Sequence, residues 1–480
     1  MLAPNDGAAA PLTTLEPKRA VIIGGGFSGT LMAVNLVRYE GPRAVLIERN
    51  IEVGKGLAYS TAHDAHLLNV RASNMSAFPD QPEHFVRWLS ERGWPASNAF
   101  VPRALYGEYL SDLLERARRA APDRVRIVRD EAIGITSSAH GPDRIRVKLR
   151  SGETVSADTA ILALGNLPPL PPDGLDPEKL GECYLADPWS PDLICGQSDD
   201  DILVIGTGLT MVDVALLLEE HGFSGRLTAI SRRGLIPRVH GEGGPHAKRL
   251  MERPRGEVSE LLRSVRARAE TVGWQNAIDE LRPFTQAMWL AASEQQKKRF
   301  LRHLRPWWDV HRHRLAPVVA ERLQHLRASG RLQVIAGLPK LFRPRGDKVE
   351  VHWLTRGSTQ TGSGMFSRVI NCTGPQSDLT RSNDPVWTAL RWQGVFCTAL
   401  AGRGAHVSGL FARLCMAAGP DAIRAVQVPP SCTHSKCWGR TGFPAPAVST
   451  GFLRQFSLPS PTGVAPWGAI SQAAASSGSR

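Results

Sequence analysis

Hydrophobic residues along the chain fall into short continuous runs, each followed by a stretch with helical spacing. Residues 20–23 form the first apolar run, which ends on glycine, and Leu31 and Val34 then recur at the spacing of one packed helix face. A second apolar run follows at residues 44–47. The same order returns at residues 202–231, so the pattern predicts two α/β units that are built alike.

The turn after the first run carries three glycines at the spacing G-x-G-x-x-G. Gly24 permits the tight turn, Gly26 lets a pyrophosphate approach the backbone, and Gly29 allows the helix to pack closely on the strand. Phe27 and Ser28 lie at the start of the helix, whose N-terminus would face the phosphates. The spacing therefore predicts that these residues bind a dinucleotide.

Glu48 ends the second predicted strand, 19 residues after Gly29. A carboxylate at this point accepts hydrogen bonds from both hydroxyls of an adenosine ribose. Because the strand, the helix and the acid are in register, we predict that FAD is the dinucleotide of this unit. A glycine turn inside an ordinary α/β sheet is the alternative interpretation.

The second unit has a looser version of the same turn. Gly206 and Gly208 supply the turn, and Met211 stands where the third glycine would be. The position that Glu48 holds in the first unit is here taken by Ser231, Arg232 and Arg233. A carboxylate would repel a 2′-phosphate, whereas a serine and arginines bind it through charge-assisted hydrogen bonds. We therefore predict NADPH rather than NADH at this site, with a solvated basic turn as the alternative.

Two further apolar strands end abruptly on glycine, at Gly165 and Gly374. Their placement between and after the two units predicts chain crossings between two domains. The predicted fold class is α/β, with two Rossmann-like, doubly wound, three-layer domains. Residues 18–170 and 340–392 would form the FAD-binding domain. Residues 200–335, with helical additions, would form an NAD(P)H-binding domain inserted in it.

The two ends of the chain lack this pattern. Residues 1–17 are predicted to be a flexible N-terminus. Residues 393–480 form an atypical tail, and residues 428–480 within it show neither helical nor strand periodicity. Between residues 401 and 480 the only acidic residue is Asp421, and Pro, Ser, Ala and Gly dominate. Two interpretations of this atypical tail stay open: a disordered low-complexity segment, or the product of a reading-frame shift near residue 393 in GC-rich DNA.

Composition excludes several classes of protein. The 480 residues are 42% hydrophobic and 21% charged, as in a soluble enzyme of more than one domain, and no apolar run reaches the ~18 residues of a membrane helix. The first residues do not have the charge pattern of a secretory signal, so we expect a cytoplasmic protein. The net charge of +13 is spread without interleaved aromatic residues, so we expect no nucleic-acid partner.

The cysteine and histidine positions indicate neither a disulfide framework nor a metal site. The seven cysteines are scattered and none forms a C-x-x-C pair. His311 and His313 are two residues apart, so on the predicted helix they point to different faces. No third ligand follows at a familiar zinc spacing, and we predict no metal.

Seven stretches of the chain together resemble a family of two-dinucleotide flavoproteins known as FAD/NAD(P)-binding proteins. The family is distantly similar to flavin-containing monooxygenases and includes an FAD-dependent urate hydroxylase. The resemblance covers roughly residues 18–392 and rests on VIIGGGFSGTLMAVNL, GKGLAYSTAHDAHLLNVRASNMSAFPDQPEHFVRWL, FVPRALYGEYL, DPWSP, IGTGLTMVD, RPWWDVHRHRLAP and NCTGP. None of these stretches indicates the substrate.

The resemblance adds three residues to the predicted cofactor sites. Lys55 and Asn69 lie in a loop-rich segment that the resemblance places over the flavin. Arg103 would lie near the FAD phosphates by the family pattern, and a plain arginine on a helix surface is the alternative.

The expected chemistry follows from the cofactors, since flavins carry out hydride transfer and oxygen chemistry. We expect NADPH to reduce FAD, and O₂ then to be used to hydroxylate a small molecule, such as a nitrogen-containing, urate-like heteroaromatic compound. The oligomeric state and the catalytic residues are not predicted. The alternatives are an NAD(P)H-dependent flavin reductase without oxygenase activity and a catalytically impaired nucleotide-binding protein, since the atypical tail falls where the FAD domain should be completed.

Overall fold

The computed structural model describes residues 18–60, 63–64, 66–94, 99–137, 145–193, 200–241, 250–376, 381–393 and 423–425. The strands are β1 Arg19–Ile23, β2 Arg43–Glu48, β3 Val125–Arg129, β4 Ala132–Ser137, β5 Ile145–Leu149, β6 Thr154–Ala157, β7 Thr159–Leu162, β8 Tyr184–Leu185, β9 Ile202–Ile205, β10 Leu227–Ser231, β11 Leu332–Arg345, β12 Lys348–Thr355, β13 Thr361–Phe366, β14 Arg368–Asn371 and β15 Ile423–Ala425.

The helices alternate with the strands at first and then cluster between β10 and β11. They are α1 Phe27–Arg38, α2 Gly56–Tyr59, α3 His84–Ser90, α4 Arg103–Ala120, α5 Pro177–Leu180, α6 Leu209–Glu220, α7 Val258–Val272, α8 Trp274–Leu281, α9 Thr285–Ala291, α10 Glu294–Arg299, α11 Arg305–Arg312, α12 Pro317–Ala328 and α13 Pro385–Trp392. A π-helical turn, Phe300–Leu304, joins α10 to α11. None of the helices in the described ranges combines the length and the apolar character that crossing a membrane requires.

The first unit is built on a five-stranded parallel sheet in the order β15-β7-β1-β2-β3. Alternate residues of β1 face opposite layers, as the period of a strand requires. Ala20 and Ile22 join one apolar core with α1 and α4. Val21 and Ile23 join another with α13 and the antiparallel sheet β4-β5-β6. This unit therefore has the predicted three layers.

The second unit repeats this plan on a seven-stranded sheet in the order β13-β12-β11-β10-β9-β14-β8. The strands from β11 to β8 pair in parallel, and β11, β12 and β13 continue as an antiparallel meander. Val204 and Ala229 share a core with α6 and α12. Leu203 and Ile230 share another with the meander. Two three-layer α/β units of the same design confirm the predicted fold class.

The chain path between the two sheets differs from the predicted boundary at residue 340. The chain leaves the first sheet after β7, completes the second sheet with β8 to β14, and then returns through α13 and β15. Residues 340–371 therefore lie in the second sheet, whereas the sequence assigned them to the FAD-binding domain. The physical reason is the pairing of β14 with β9, which buries Val369 and Ile370 completely. Of the predicted 340–392 segment, α13 packs on the first unit.

The short strand β15 was missed by sequence reasoning. Ile423–Ala425 pairs in parallel with β7 at the edge of the first sheet, inside the segment for which no strand was predicted. Three residues are too few to show a period of two, so the open edge of β7 decides this strand rather than a local pattern. The rest of the predicted tail, and residues 1–17, lie outside the described residues.

The helical additions, α7 to α11, are anchored to the second unit by a buried arginine. Arg314 is 3% exposed and donates hydrogen bonds to the Asp279 carboxylate of α8 at 3.1 and 3.3 Å. Val239 pairs with Leu315 in a parallel bridge, so the segment after β10 lies against the end of the additions. The additions therefore contact the segment that follows β10.

Candidate functional site

The first glycine turn needs glycine for steric reasons that the structure makes explicit. Gly24 has φ +101°, and a Cβ there would lie 2.2 Å from the Ala163 carbonyl oxygen at the end of β7. A Cβ on Gly29 would lie 1.8 Å from the Gly24 carbonyl oxygen. Both distances are far below van der Waals contact, so the turn and the close approach of α1 to the sheet depend on these two residues.

A loop lies directly against this turn. Gly54 N–H donates a hydrogen bond of 2.8 Å to the Gly25 carbonyl oxygen. A Cβ on Gly26 would be 3.3 Å from the Gly56 Cα, so the two backbones are in contact. Lys55 lies between these glycines, and its ammonium group donates to the Glu52 carboxylate at 3.1 Å. The structure thus brings Lys55 to the first glycine turn, in the segment that the family resemblance places over the flavin.

Glu48 lies at the predicted place and is bonded to the turn itself. Its Oε2 accepts a hydrogen bond of 2.6 Å from Gly25 N–H, and its Oε1 accepts one of 2.8 Å from Asn50 N–H. The side chain is buried, yet a carboxylate can accept about four hydrogen bonds, so capacity for two ribose hydroxyls remains. Gly25, which sequence reasoning passed over, allows this contact, because a Cβ there would lie 2.8 Å from the Glu48 Cβ.

The second glycine turn repeats the geometry of the first at one position and differs at another. Gly206 has φ +118°, and a Cβ there would lie 2.2 Å from the Cys372 carbonyl oxygen at the end of β14. Gly208 directly precedes α6. A Cβ built on Gly208 would have no atom within 4 Å, so the space beside this residue is open. Met211 is fully buried among α6 and its neighbours. The open side at Gly208 is where a pyrophosphate could approach the backbone.

Ser231 and the two arginines lie at the end of β10, beside this second turn. The Ser231 hydroxyl is 2.8 Å from the Thr207 hydroxyl and accepts a hydrogen bond from Gly234 N–H at 3.1 Å. Arg232 is exposed and Arg233 is half-buried. The structure therefore brings the two arginines to the carboxyl edge of the sheet, close to the turn at Gly206.

Arg103 has a different set of partners from the FAD phosphates that the resemblance implied. Its Nη1 and Nη2 donate to the two carboxylate oxygens of Asp213 in α6 at 2.8 and 3.0 Å, and its Nε donates to the Leu67 carbonyl oxygen at 3.0 Å. These bonds involve all three guanidinium nitrogens. Arg103 therefore links the two units, and the phosphate contact that the resemblance implies stays a prediction.

Two histidines surround this link. His66 Nε2 lies 3.2 Å from the Asp213 carbonyl oxygen, and burial lowers the pKa of His66 below its ordinary value. His240 Nε2–H donates to the Asn69 carbonyl oxygen at 2.9 Å, and burial lowers the pKa of His240 to about 4. Asn69 is thus joined to the second unit through its backbone. These histidines are neutral at physiological pH and hold the two units together through hydrogen bonds.

The two remaining glycines mark where the chain passes between the units. Gly165 follows β7 with φ +75° and Gly374 follows β14 with φ +86°, and neither has an atom within 4 Å of a built Cβ. The two crossings meet, because Leu167 pairs with Gln376 and the Asn371 side chain donates to the Leu170 carbonyl oxygen at 3.0 Å. Both predicted crossings therefore lie at one junction, beside the two glycine turns.

His311 lies in α11 and His313 directly follows this helix. His311 Nδ1–H donates to the Trp307 carbonyl oxygen at 2.7 Å, and burial lowers the pKa of His313 to about 3. Within the described ranges, no group of three His, Cys, Asp or Glu side chains is placed to hold a metal ion. The candidate site that the described residues form consists of the two glycine turns, with polar contacts between their units.

Comparison with known proteins finds matches for most of the first unit and for the overall fold. Residues 21–167 match a protein family described as FAD-NAD(P)-binding. No curated protein matches the sequence. The ornithine N-hydroxylase of Kutzneria sp. 744, solved with reduced FAD, NADP⁺ and L-ornithine, is 16% identical with a TM-score of 0.58, over 92% of this chain and 100% of that chain.

Two further structures are similar at comparable levels. The cadaverine monooxygenase DfoA of Erwinia amylovora, solved with bound FAD, is 11% identical with a TM-score of 0.56, over 85% of this chain and 87% of that chain. The ornithine hydroxylase PvdA of Pseudomonas aeruginosa is 14% identical with a TM-score of 0.54, over 85% of this chain and 92% of that chain. At these identities the matches show a shared fold, which confirms the predicted α/β fold class.

Proposed function

We propose that this chain is an FAD- and NADPH-dependent monooxygenase that hydroxylates a small nitrogen-containing molecule. The observation that carries the proposal is the pair of like glycine turns with opposite charge beside them. Glu48 is bonded to the first turn, whereas Arg232 and Arg233 follow Ser231 beside the second. A ribose with free hydroxyls suits the first site, and a ribose that carries a 2′-phosphate suits the second.

The residues of the first unit fit FAD. Gly26 and Gly56 leave the backbone of the turn without side chains, and the N-terminus of α1 begins at Phe27 beside it. Backbone N–H groups at a helix N-terminus bind phosphates, and Ser28 lies in the same first turn. Glu48 would hold the adenosine ribose. When bound, the flavin supplies the hydride and oxygen chemistry, and the protein contributes binding, orientation and exclusion of water.

The substrate class is supported by the structural neighbours. Two of these proteins are named as ornithine hydroxylases and one as a cadaverine monooxygenase, so primary amines are the first compounds to test. A urate-like heteroaromatic compound, which the family resemblance implied, is the second. Both are small nitrogen-containing molecules. Hydroxylation of either would require a nicotinamide and a flavin held close to one another, as the junction of the two units would allow.

The test is an absorbance spectrum of the purified full chain, followed by anaerobic NADPH and then by air. We expect a two-band flavin spectrum that NADPH bleaches and air restores, and oxygen incorporation into one amine or heteroaromatic compound of the panel. Hydrogen peroxide without any hydroxylated product would favour a flavin reductase instead. A colourless protein that does not take up added FAD would overturn the proposal and favour the impaired nucleotide-binding protein.

A further inference from the structure

A third arginine, Arg356, lies beside Arg232 at the carboxyl edge of the second sheet. Ala336 is the register partner of Ser231 across the β10–β11 pair. Arg356 follows β12, and its backbone N–H donates to the Ala336 carbonyl oxygen at 2.9 Å. Its Nη1 donates to the Arg232 carbonyl oxygen at 3.4 Å. The sequence separates these two arginines by 124 positions, so no local spacing could have connected them.

The loop that carries Arg232 and Arg233 is held in place. The Thr207 hydroxyl donates to the Leu235 carbonyl oxygen at 2.5 Å and also contacts the Ser231 hydroxyl. Gly234 has φ +59° and packs on Ala336, with a built Cβ only 3.1 Å from the Ala336 Cβ. The loop is therefore bonded to the glycine turn on one side and packed against β11 on the other, so the positions of its arginines are defined before any ligand binds.

The charge of this edge is uncompensated in the part of the chain that the structure describes. Two other arginines of the second unit have carboxylate partners: Arg226 pairs with Asp201 before β9, and Arg345 pairs with Glu350 at the far end of the hairpin. Among the described residues, no ion pair involves Arg232, Arg233 or Arg356. Three arginines at one edge of the sheet, without a carboxylate partner among the described residues, favour the binding of an anion with more than one charge.

We propose that Arg356 contacts the 2′-phosphate of NADPH together with Arg232 and Arg233, and so determines the preference for NADPH over NADH. The inference rests on the proposed function and extends it to a residue outside the β10 turn. The bond from Nη1 to the Arg232 carbonyl oxygen orients the guanidinium plane and leaves its other N–H groups for the phosphate oxygens. Such charge-assisted bonds are about twice as strong as neutral hydrogen bonds.

The test measures binding of 2′,5′-ADP and of 5′-ADP to the full chain by isothermal titration calorimetry. The variants are Arg356→Gln, Arg356→Lys and, as a matched control on the same hairpin, Arg345→Gln. We expect Arg356→Gln to weaken 2′,5′-ADP binding about tenfold and to leave 5′-ADP binding within about twofold. Arg356→Lys should recover part of the loss, and Arg345→Gln should bind both compounds as the unchanged protein does.

Three results would overturn the inference, and they differ in what they say about the function. If the unchanged protein binds 2′,5′-ADP no tighter than 5′-ADP, the NADPH assignment itself is wrong. If it discriminates and Arg356→Gln discriminates equally well, the 2′-phosphate site exists without Arg356. Equal weakening of both compounds would also overturn it, since a general loss of structure has no preference for the 2′-phosphate.

Discussion

Arg103 and Asp213 join the two nucleotide-binding units through a two-pronged ion pair. The arginine begins α4 of the first unit and the aspartate lies in the second turn of α6, the helix that follows the second glycine turn. Their side chains are 15% and 10% exposed, so the pair is largely removed from water. An ion pair of this kind fixes the direction in which α6 meets the first unit.

We expect Asp213→Asn to destabilise the protein by about 3 kcal/mol, because it leaves the Arg103 charge buried without a full partner. The measurement is the free energy of unfolding in denaturant. A matched control is Glu115→Gln on α4, the helix that begins at Arg103. The ion pairs of Glu115 with Arg118 and Arg119 are exposed and should stabilise the protein by less than about 1 kcal/mol. Equal effects of the two variants would contradict a coupling role for Asp213.

The same substitution should slow the reduction of the flavin by NADPH. Because Asp213 lies four residues into α6, a change in the direction of this helix would move the nicotinamide relative to the flavin, and small displacements cost reaction rate steeply. Stopped-flow reduction under anaerobic conditions would separate the rate from the affinity for NADPH. A slower rate at unchanged affinity is the expected result, and a purely structural role would leave the rate of the folded fraction unchanged.

One glycine from each of the two turns, Gly29 and Gly208, should respond differently to alanine. Gly29→Ala would bring a Cβ to 1.8 Å from the Gly24 carbonyl oxygen, so we expect loss of flavin and of stability. The new Cβ of Gly208→Ala would meet no atom within 4 Å, and alanine adopts the φ of −86° at this position without strain. The fold should therefore remain intact while NADPH binding weakens. Thermal unfolding and NADPH titration measure the two effects. Unchanged NADPH affinity in Gly208→Ala would show that the pyrophosphate does not approach that backbone.

Glu48→Gln should weaken flavin binding about tenfold or more. The carboxylate accepts bonds from Gly25 and Asn50 N–H, and an amide would present its NH₂ group to one of these donors. The flavin content after dialysis, read from absorbance, measures the effect. Glu52→Gln is the control, since Glu52 is 61% exposed and contacts Lys55 at the surface. Full retention of flavin by Glu48→Gln would argue against a ribose contact.

Stability should fall in mild acid in a way that depends on His240. Burial lowers the pKa of His240 to about 4, whereas an unfolded histidine titrates near 6.5. Between these values the unfolded chain binds a proton that the folded chain excludes, so the free energy of unfolding decreases as pH falls from about 6.5 towards 4, by at most about 3 kcal/mol. Above pH 6.5 this histidine contributes no pH dependence.

His240→Gln provides the comparison for this prediction. A glutamine amide can donate to the Asn69 carbonyl oxygen as Nε2–H does, but it does not titrate. We expect similar thermal midpoints for the two proteins at pH 7.5 and a smaller loss for the variant between pH 6.5 and 4.5. Parallel pH profiles would assign the acid sensitivity to other groups, such as His66 and His313, whose pKa values burial also lowers.

Local chemistry was enough to predict the two nucleotide-binding units. The steric demand at Gly29 comes from Gly24 in the same turn, and apolar runs followed by helical spacing report burial directly. Glu48 and Ser231 could be placed because each ends a strand that lies next to the first strand of its unit. These features depend on short stretches of chain, and short stretches carry their own signal.

The tertiary structure alone decided which distant segments meet. The assignment of β14 to the second sheet, the strand β15, the partner of Arg103 and the approach of Arg356 to Arg232 all depend on contacts between residues far apart in the chain. The local sequence around an arginine is the same whether its side chain contacts a phosphate, a carboxylate or water. Its partner is determined by how the sheets stack and where the chain crosses between them, and no spacing along the sequence contains that information.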